Sequence, residues 1–364
     1  MSGAYLSFPF CAQKCTFCNF ASGVFPAELE RDYVNALVAE IRGCQWRWIP
    51  ETVYIGGGTP SRIGPDALEA ILEVLPGRPW LEATIEAAPG TLTPAIVQAW
   101  VKTGINRVSL GVQSFVSQEL SRTGRRHNAV TVASDVALLL SAGITNFNID
   151  LIAGLPWQTP ESWAESLDWL QKIEPPHVSV YMFEIDEDSR LGLELIEGGS
   201  HYSASAVPGN DLVADFYETA VARLHAMGIE RYEISNFAVP GKESLHNLKY
   251  WLLDPYLGFG ADAHSFDQNK RWGNVESAAE YVARWRDGKS TALESVEAID
   301  YQERFFVGLR LMRGIRTTTA DRNRYGKTIE RLRQDGLLTM DGDRLKLTDK
   351  GVLMSNEVFE EFVS

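Results

Sequence analysis

Cysteine is nearly missing from this chain, with four in 364 residues. Three of them, Cys11, Cys15 and Cys18, share one short window, which excludes the dispersed framework of a disulfide-stapled secreted domain and leaves Cys44 as a buried bystander. No stretch of about 18 apolar residues occurs, and no basic segment leads into an apolar run at the amino end, which argues against a membrane span and a secretory signal. Positive charge is in deficit, with 34 Lys and Arg against 48 Asp and Glu and a net charge of -14. Such a surface repels phosphate backbones and anionic headgroups, so nucleic acid is not expected as a partner. Low-complexity tracts are absent too, and the expected setting is the reducing cytoplasm.

With 45% hydrophobic residues, the chain can bury a barrel-sized core and carry a smaller unit besides. Short β-branched runs alternate with longer amphipathic ones. Ala4 to Phe8 precedes Leu29 to Arg42, Thr52 to Ile55 precedes Pro65 to Leu75, and Glu82 to Ala87 precedes Pro94 to Lys102. Arg107 to Leu110 then precedes Ala129 to Ala142, Asn146 to Ile152 precedes Glu161 to Ile173, and Val178 to Phe183 precedes Leu212 to Met227. Six β-α units predict an α/β fold with a parallel sheet, a partial (three-quarter, β6/α6) TIM-like barrel whose chemistry lies in the loops after the strands. The Gly- and Ser-containing stretch Gly198 to Asn210 is expected to be a long loop over that rim.

Past Tyr232 the period breaks, and Gly258-Phe259-Gly260-Ala261 suggests close backbone approach. The last part reads as helix, hairpin and helix, with Asp341-Gly342 turning between Leu337 to Met340 and Arg344 to Leu347. It is a small α+β, winged-helix-like domain without a basic stripe, suited to packing or to a partner rather than DNA. The expected division is a barrel over 1–235, a linking segment over 236–297 and the C-terminal domain over 298–364.

The three clustered cysteines stand as C-x3-C-x2-C directly after Tyr5-Leu6-Ser7-Phe8-Pro9-Phe10. Thiolates suit soft metals, and three of them on a short loop wrap an iron-sulfur cluster with one iron open more readily than a lone zinc. A zinc site completed by Cys44 or a histidine, and a buried helix face, are the competing readings; Pro9 and Ala12-Gln13-Lys14 favour a loop. Strand two runs into Gly56-Gly57-Gly58-Thr59, where backbone groups can meet a polar ligand. No Gly-Lys-Ser/Thr comes after it, so it is not a phosphate loop. Glu86 ends strand three, Gln113 ends strand four, and Asp150 lies on strand five. Arg125 is the bidentate donor ranked ahead of its neighbour Arg126.

C-x3-C-x-aromatic-C, with Phe17 as the aromatic, resembles the radical S-adenosylmethionine (SAM) signature. That resemblance implies a [4Fe-4S] cluster on Cys11, Cys15 and Cys18. It also implies SAM held by Tyr5, Gly57, Gly58, Thr59, Glu86, Gln113, Arg125 and Asp150. The rim motifs in this order are similar to the oxygen-independent coproporphyrinogen III dehydrogenase family, whose two main branches are HemN and the heme chaperone HemW. The dehydrogenase branch carries a fourth cysteine where Phe20 stands and a longer segment before the cluster. Ser7 takes the place of a histidine usual in the family.

His246-Asn247-Leu248-Lys249-Tyr250-Trp251 is similar to the H-N-x-x-Y-W motif of the chaperone branch. Imidazole ligates iron and aromatic rings offer the macrocycle a flat surface, so His246, Tyr250 and Trp251 are the expected heme contacts, with His264 a second candidate ligand and a core role for His246 the alternative. The resemblance implies heme as cargo, heme-receiving respiratory proteins or bacterioferritin-like heme donors as partners, and leaves room for a homodimer and transient membrane association. The other reading is an enzyme that decarboxylates coproporphyrinogen III propionates. Tyr232 to Ala238 reads as a strand with a polar turn and no catalytic role.

Overall fold

The computed structural model describes residues 1–18, 20–184, 189–199, 201–298 and 300–363. Its first half is the predicted repeat. β1 (Gly3–Phe8), α1 (Ala27–Gly43), β2 (Thr52–Gly57), α2 (Pro65–Glu73), β3 (Glu82–Ala87) and α3 (Pro94–Thr103) follow one another. After them come β4 (Arg107–Gln113), a short α4 (Ser117–Arg122), α5 (Ala129–Ser141), β5 (Asn146–Ala153), α6 (Pro160–Ile173) and β6 (His177–Met182). Local signals set several helix starts: Pro94 opens α3 behind Thr93, Asn128 caps α5 through the Thr131 amide, and Thr159 and Ser162 form a reciprocal cap on α6.

β1 to β6 pair side by side in parallel. Their period-2 pattern sorts two faces. Ala4, Leu6 and Phe8, then Val53 and Ile55, Ala83 and Ile85, Val108 and Leu110, Ile149 and Leu151, and Val178 and Val180 join the apolar core with the helices. The alternate residues Tyr5, Tyr54, Glu86, Ser109, Asn148, Asp150, Ser179 and Tyr181 occupy the other face. The barrel lumen is therefore a polar compartment.

α7 (Arg190–Glu197) lies between β6 and α8 (Asn210–Ala226), just ahead of the stretch Gly198 to Asn210 expected as loop. Glu194 ties the helix to that stretch by accepting from the amides of Tyr202 and Ala204 at 2.6 and 3.1 Å. Residue 200, inside the expected loop, lies outside the described residues.

The expected linking segment 236–297 is woven into the sheet instead. β7 (Glu230–Arg231) and β8 (Asn236–Ala238) close one edge, with β8 antiparallel to β6. After α9 (Leu245–Leu252), β9 (Tyr256–Phe259) pairs in parallel with β1 at the opposite edge. β10 (His264–Phe266), β11 (Lys270–Gly273), α10 (Ala278–Arg286) and β12 (Val296–Glu297) extend it, giving twelve strands among the described residues. The glycine-rich turn after β9 makes the expected close approach. A side chain on Gly260, at φ 92°, would stand 2.4 Å from the Tyr33 hydroxyl and 2.8 Å from the Ser7 carbonyl oxygen.

The C-terminal unit comprises α11 (Asp300–Phe306), a 3-10 turn at Gly308–Arg310, β13 (Ile315–Arg316), α12 (Thr319–Gln334), β14 (Leu338–Asp341), β15 (Arg344–Leu347), α13 (Asp349–Leu353) and α14 (Ser355–Glu360). Its small sheet runs β13-β15-β14, with Gly342 at φ 61° in the predicted hairpin turn. Phe305, Tyr325 and Phe362 stack together in its core.

Candidate functional site

The cysteine loop leaves β1 and doubles back on itself: the Cys11 amide donates to the Gly23 carbonyl at 2.8 Å, and the Gly23 amide to the Pro9 carbonyl at 2.9 Å. Cys11 is buried, Cys15 and Cys18 are half-buried, and all three are free thiols. Two other rim segments hold the loop. The Thr16 amide donates to the Thr123 carbonyl at 3.4 Å, and the Leu191 amide at the start of α7 to the Thr16 carbonyl at 3.1 Å. Burial pushes the Cys15 thiol up, while the Arg125 guanidinium beside it pulls the other way. Among the described residues no three His, Cys, Asp or Glu side chains converge as a ready metal site. The donor set fits a soft iron-sulfur centre in its chemistry, three unpaired sulfurs on one loop, with convergence left to binding. Cys44 follows α1, apart from this loop.

Gly57, Gly58 and Thr59 pack against the root of the same loop. Their amides donate to Glu86 Oε2 at 3.1 Å, to the Phe8 carbonyl at 2.8 Å and to the Phe10 carbonyl at 3.0 Å. With the donors spent inside the protein, the turn offers a ligand its carbonyl oxygens, where the sequence suggested both. A Cβ on Gly58 would sit 2.8 Å from the Phe10 carbonyl oxygen and the Pro9 carbonyl carbon.

Glu86 accepts from the Tyr54 hydroxyl at 2.9 Å as well as from Gly57. Burial, then the Asp150 charge, raises its carboxyl to about 7. Asp150 accepts from Asn148 Nδ2 at 2.6 Å and Ser109 Oγ at 3.1 Å, and burial raises it also. Tyr5 stacks on Tyr54 at 6.1 Å. Tyr5, Gly57, Glu86 and Asp150 thus form one connected group in the lumen.

Gln113 and Arg125 form a second group, nearer the thiols. β4 bulges between Leu110 and Gln113, which is left at φ 70°. A Cβ on Gly111 would lie 3.2 Å from the Gln113 amide nitrogen and 3.7 Å from an Arg125 guanidinium nitrogen, so both side chains converge over Gly111. Arg125 Nε is buried without a hydrogen-bond partner among the described residues, while Arg126 is exposed. The sequence missed His127, whose Nε2 donates to the Val112 carbonyl at 3.0 Å and pins this bulge. Its signal was only its place beside Arg125.

His246 does not meet the heme expectation. It is 0% exposed, its Nδ1 lies 2.8 Å from Thr52 Oγ1 and its Nε2 2.9 Å from the Tyr250 hydroxyl, so an iron atom would have to displace a buried hydrogen bond. Lys249 Nζ donates to the same Thr52 oxygen at 2.5 Å, and burial lowers its ammonium to about 8. Thr52 therefore spends its one proton on Nδ1, and His246 donates through Nε2 to Tyr250. Beneath lies Glu82, which accepts from the amides of Leu245 and His246 at 3.0 and 2.9 Å and pairs with Arg107 at 3.8 Å. These residues plug the N-terminal end of the barrel, the end where such folds keep stability rather than chemistry. Tyr250 and Trp251 instead line a cavity of about 350 Å³ with Tyr5, Tyr54, Tyr181 and Arg310. His264 is exposed on β10.

The profile of the radical SAM superfamily matches residues 5–170 and that of the HemN C-terminal domain matches residues 300–354. The protein is 33% identical over 374 residues to a Lactococcus lactis protein named heme chaperone HemW, covering 100% of this chain and 97% of the relative. A Bacillus subtilis protein of the same name is 30% identical over 386 residues, with 100% and 99% covered. Among solved structures, the coproporphyrinogen III oxidase HemN of Escherichia coli, a radical SAM enzyme, shares the fold with a TM-score of 0.84 at 20% identity, covering 99% of this chain and 89% of that one. With a third of its residues identical along its whole length and both family segments in place, the chain belongs to the radical SAM superfamily and, within it, to the HemW family.

Proposed function

We propose that the protein binds heme and hands it to heme-requiring proteins in the cytoplasm, with respiratory apoproteins as receivers. The observation that carries this reading is the end-to-end likeness to proteins named heme chaperones, in a chain with Phe20 where the dehydrogenase branch has its fourth cysteine. Cys11, Cys15 and Cys18 would hold a [4Fe-4S] cluster, which supplies one-electron reduction of a sulfonium when bound. Arg125 suits the carboxylate of SAM, since its guanidinium has a donor to spare. The carbonyls of the Gly57 turn suit the SAM ammonium, and Glu86, Gln113, Asp150 and Tyr5 complete the wall. For heme, Tyr250 and Trp251 offer aromatic surface, and His264 has the exposed imidazole that His246 lacks.

Two measurements test this. The anaerobically reconstituted protein, given SAM and coproporphyrinogen III, should release no protoporphyrinogen, and it should take up hemin stoichiometrically; product formation would overturn the chaperone reading. Cys15→Ala should lose the cluster's visible absorption and bound iron while keeping its far-ultraviolet dichroism. Unchanged iron would remove the cluster assignment.

A further inference from the structure

The lumen cavity is not built by the barrel alone. Its wall is completed by Arg310, carried on the 3-10 turn Gly308–Arg310 of the C-terminal unit. Backbone pairing fixes that turn: Leu311 bridges to Glu233, and the Met312 amide donates to the Tyr232 carbonyl at 3.0 Å. The guanidinium lies 4.4 Å over the Trp251 ring and reaches Glu233 at 3.4 Å, at the weak end of the hydrogen-bond range. Glu233 accepts through Oε1 from the Ser235 amide at 2.9 Å and Asn236 Nδ2 at 2.5 Å, and turns Oε2 to Arg310.

Two donors at this junction have no acceptor among the described residues. Arg310 Nε and Trp251 Nε1 are both shielded from solvent and unpartnered. The Tyr250 O–H is a third, since its oxygen is taken by His246 Nε2–H and its proton is free to turn toward the cavity. Orphaned donors beside a cavity call for an acceptor, and a fixed guanidinium fork calls for a carboxylate. The remaining wall sets the rings of Tyr5, Tyr54 and Tyr181, which suit a short methylene arm, beside the polar Ser235, Asn236 and Asn247. A cavity of about 350 Å³ has room next to these side chains for one side arm of a macrocycle of four pyrrole rings. Glu233 repels an anion here, and Arg310 standing between the two carboxylates offsets that repulsion.

We infer that Arg310 is a ligand-binding residue contributed by the C-terminal unit, and that it clamps the carboxylate of a heme propionate lodged in the lumen. This rests on the heme reading above. SAM also carries a carboxylate, and the experiment separates the two.

Hemin, hemin dimethyl ester and SAM are titrated into the reconstituted full chain and its Arg310→Gln and Arg310→Lys variants. Arg310→Gln should weaken hemin by about tenfold, the usual size of one lost charge-assisted hydrogen bond, and leave the ester and SAM unchanged. Arg310→Lys should recover part of the loss, because it keeps the charge without the fork. Equal weakening of hemin and ester would mean a structural role only, and a loss confined to SAM would assign the clamp to the other carboxylate; either overturns the inference. If the parent chain binds no hemin, the heme reading fails by itself. Carboxylate capture is then read with glutarate, which should shift the indole N–H resonance missing from Trp251→Phe, and a resonance that stays fixed across the titration overturns the clamp.

Discussion

Glu86 accepts two hydrogen bonds that favour its charged form, yet burial, helped by the Asp150 charge, wins and raises its carboxyl to about 7 from 4.5. A carboxyl raised by folding binds its proton more tightly in the native state, so stability falls as pH climbs from 4.5 through about 7. The total effect is at most about 3 kcal/mol, and Glu86→Gln should flatten that part of the profile of urea midpoint against pH. A slope identical in parent and variant would show that folding does not raise the Glu86 carboxyl. His246 is legible in the sequence only as a histidine beside aromatics, because ligand and core histidines share that neighbourhood. Thr52, far away in the chain, decides the matter. His246→Ala should cost about 3 kcal/mol of stability through lost packing and orphaned partners. The Soret band of bound heme should keep its position, and a shift in that band would restore the axial-ligand role.

At the scale of elements, the cysteine loop is shaped by the glycine turn beneath it. Gly58→Ala puts a methyl group 2.8 Å from the backbone of Pro9 and Phe10, and backbone cannot turn aside as a side chain can. The variant should therefore retain its circular dichroism but take up less iron on reconstitution, and full iron loading would show that the loop tolerates displacement. The strands and helices of the repeat were readable to within about three residues, because a half-buried strand and an amphipathic helix differ in period. α7 was not, because its eight residues make a short segment just ahead of a Gly- and Ser-containing stretch, and the bonds from Glu194 that tie it to residues 202 and 204 form only in the folded chain.

Across the whole molecule, the segment from residue 230 to 297 extends both edges of the sheet, and α9 seals the barrel floor on Glu82. Removing that charge leaves Arg107, 1% exposed, without its counter-ion. Glu82→Gln should lower stability by about 3 kcal/mol or more, seen as a lower thermal midpoint. A midpoint within experimental error of the parent's would mean that the floor does not hold the barrel. The C-terminal unit, readable as helix and hairpin, gave no sign in sequence that Arg310 joins the barrel lumen, since its partners Trp251 and Glu233 lie some sixty and eighty positions earlier.

The amino-acid order alone determined the cysteine spacing, the β-α period and the glycines that mark close approach, because each is a local pattern set by bond geometry and side-chain type. Tertiary structure decided which histidine is buried, which amides are already spent, and which arginine from the far end of the chain completes the cavity. Those outcomes depend on hydrogen-bond partners brought together only when the sheet closes around its polar lumen.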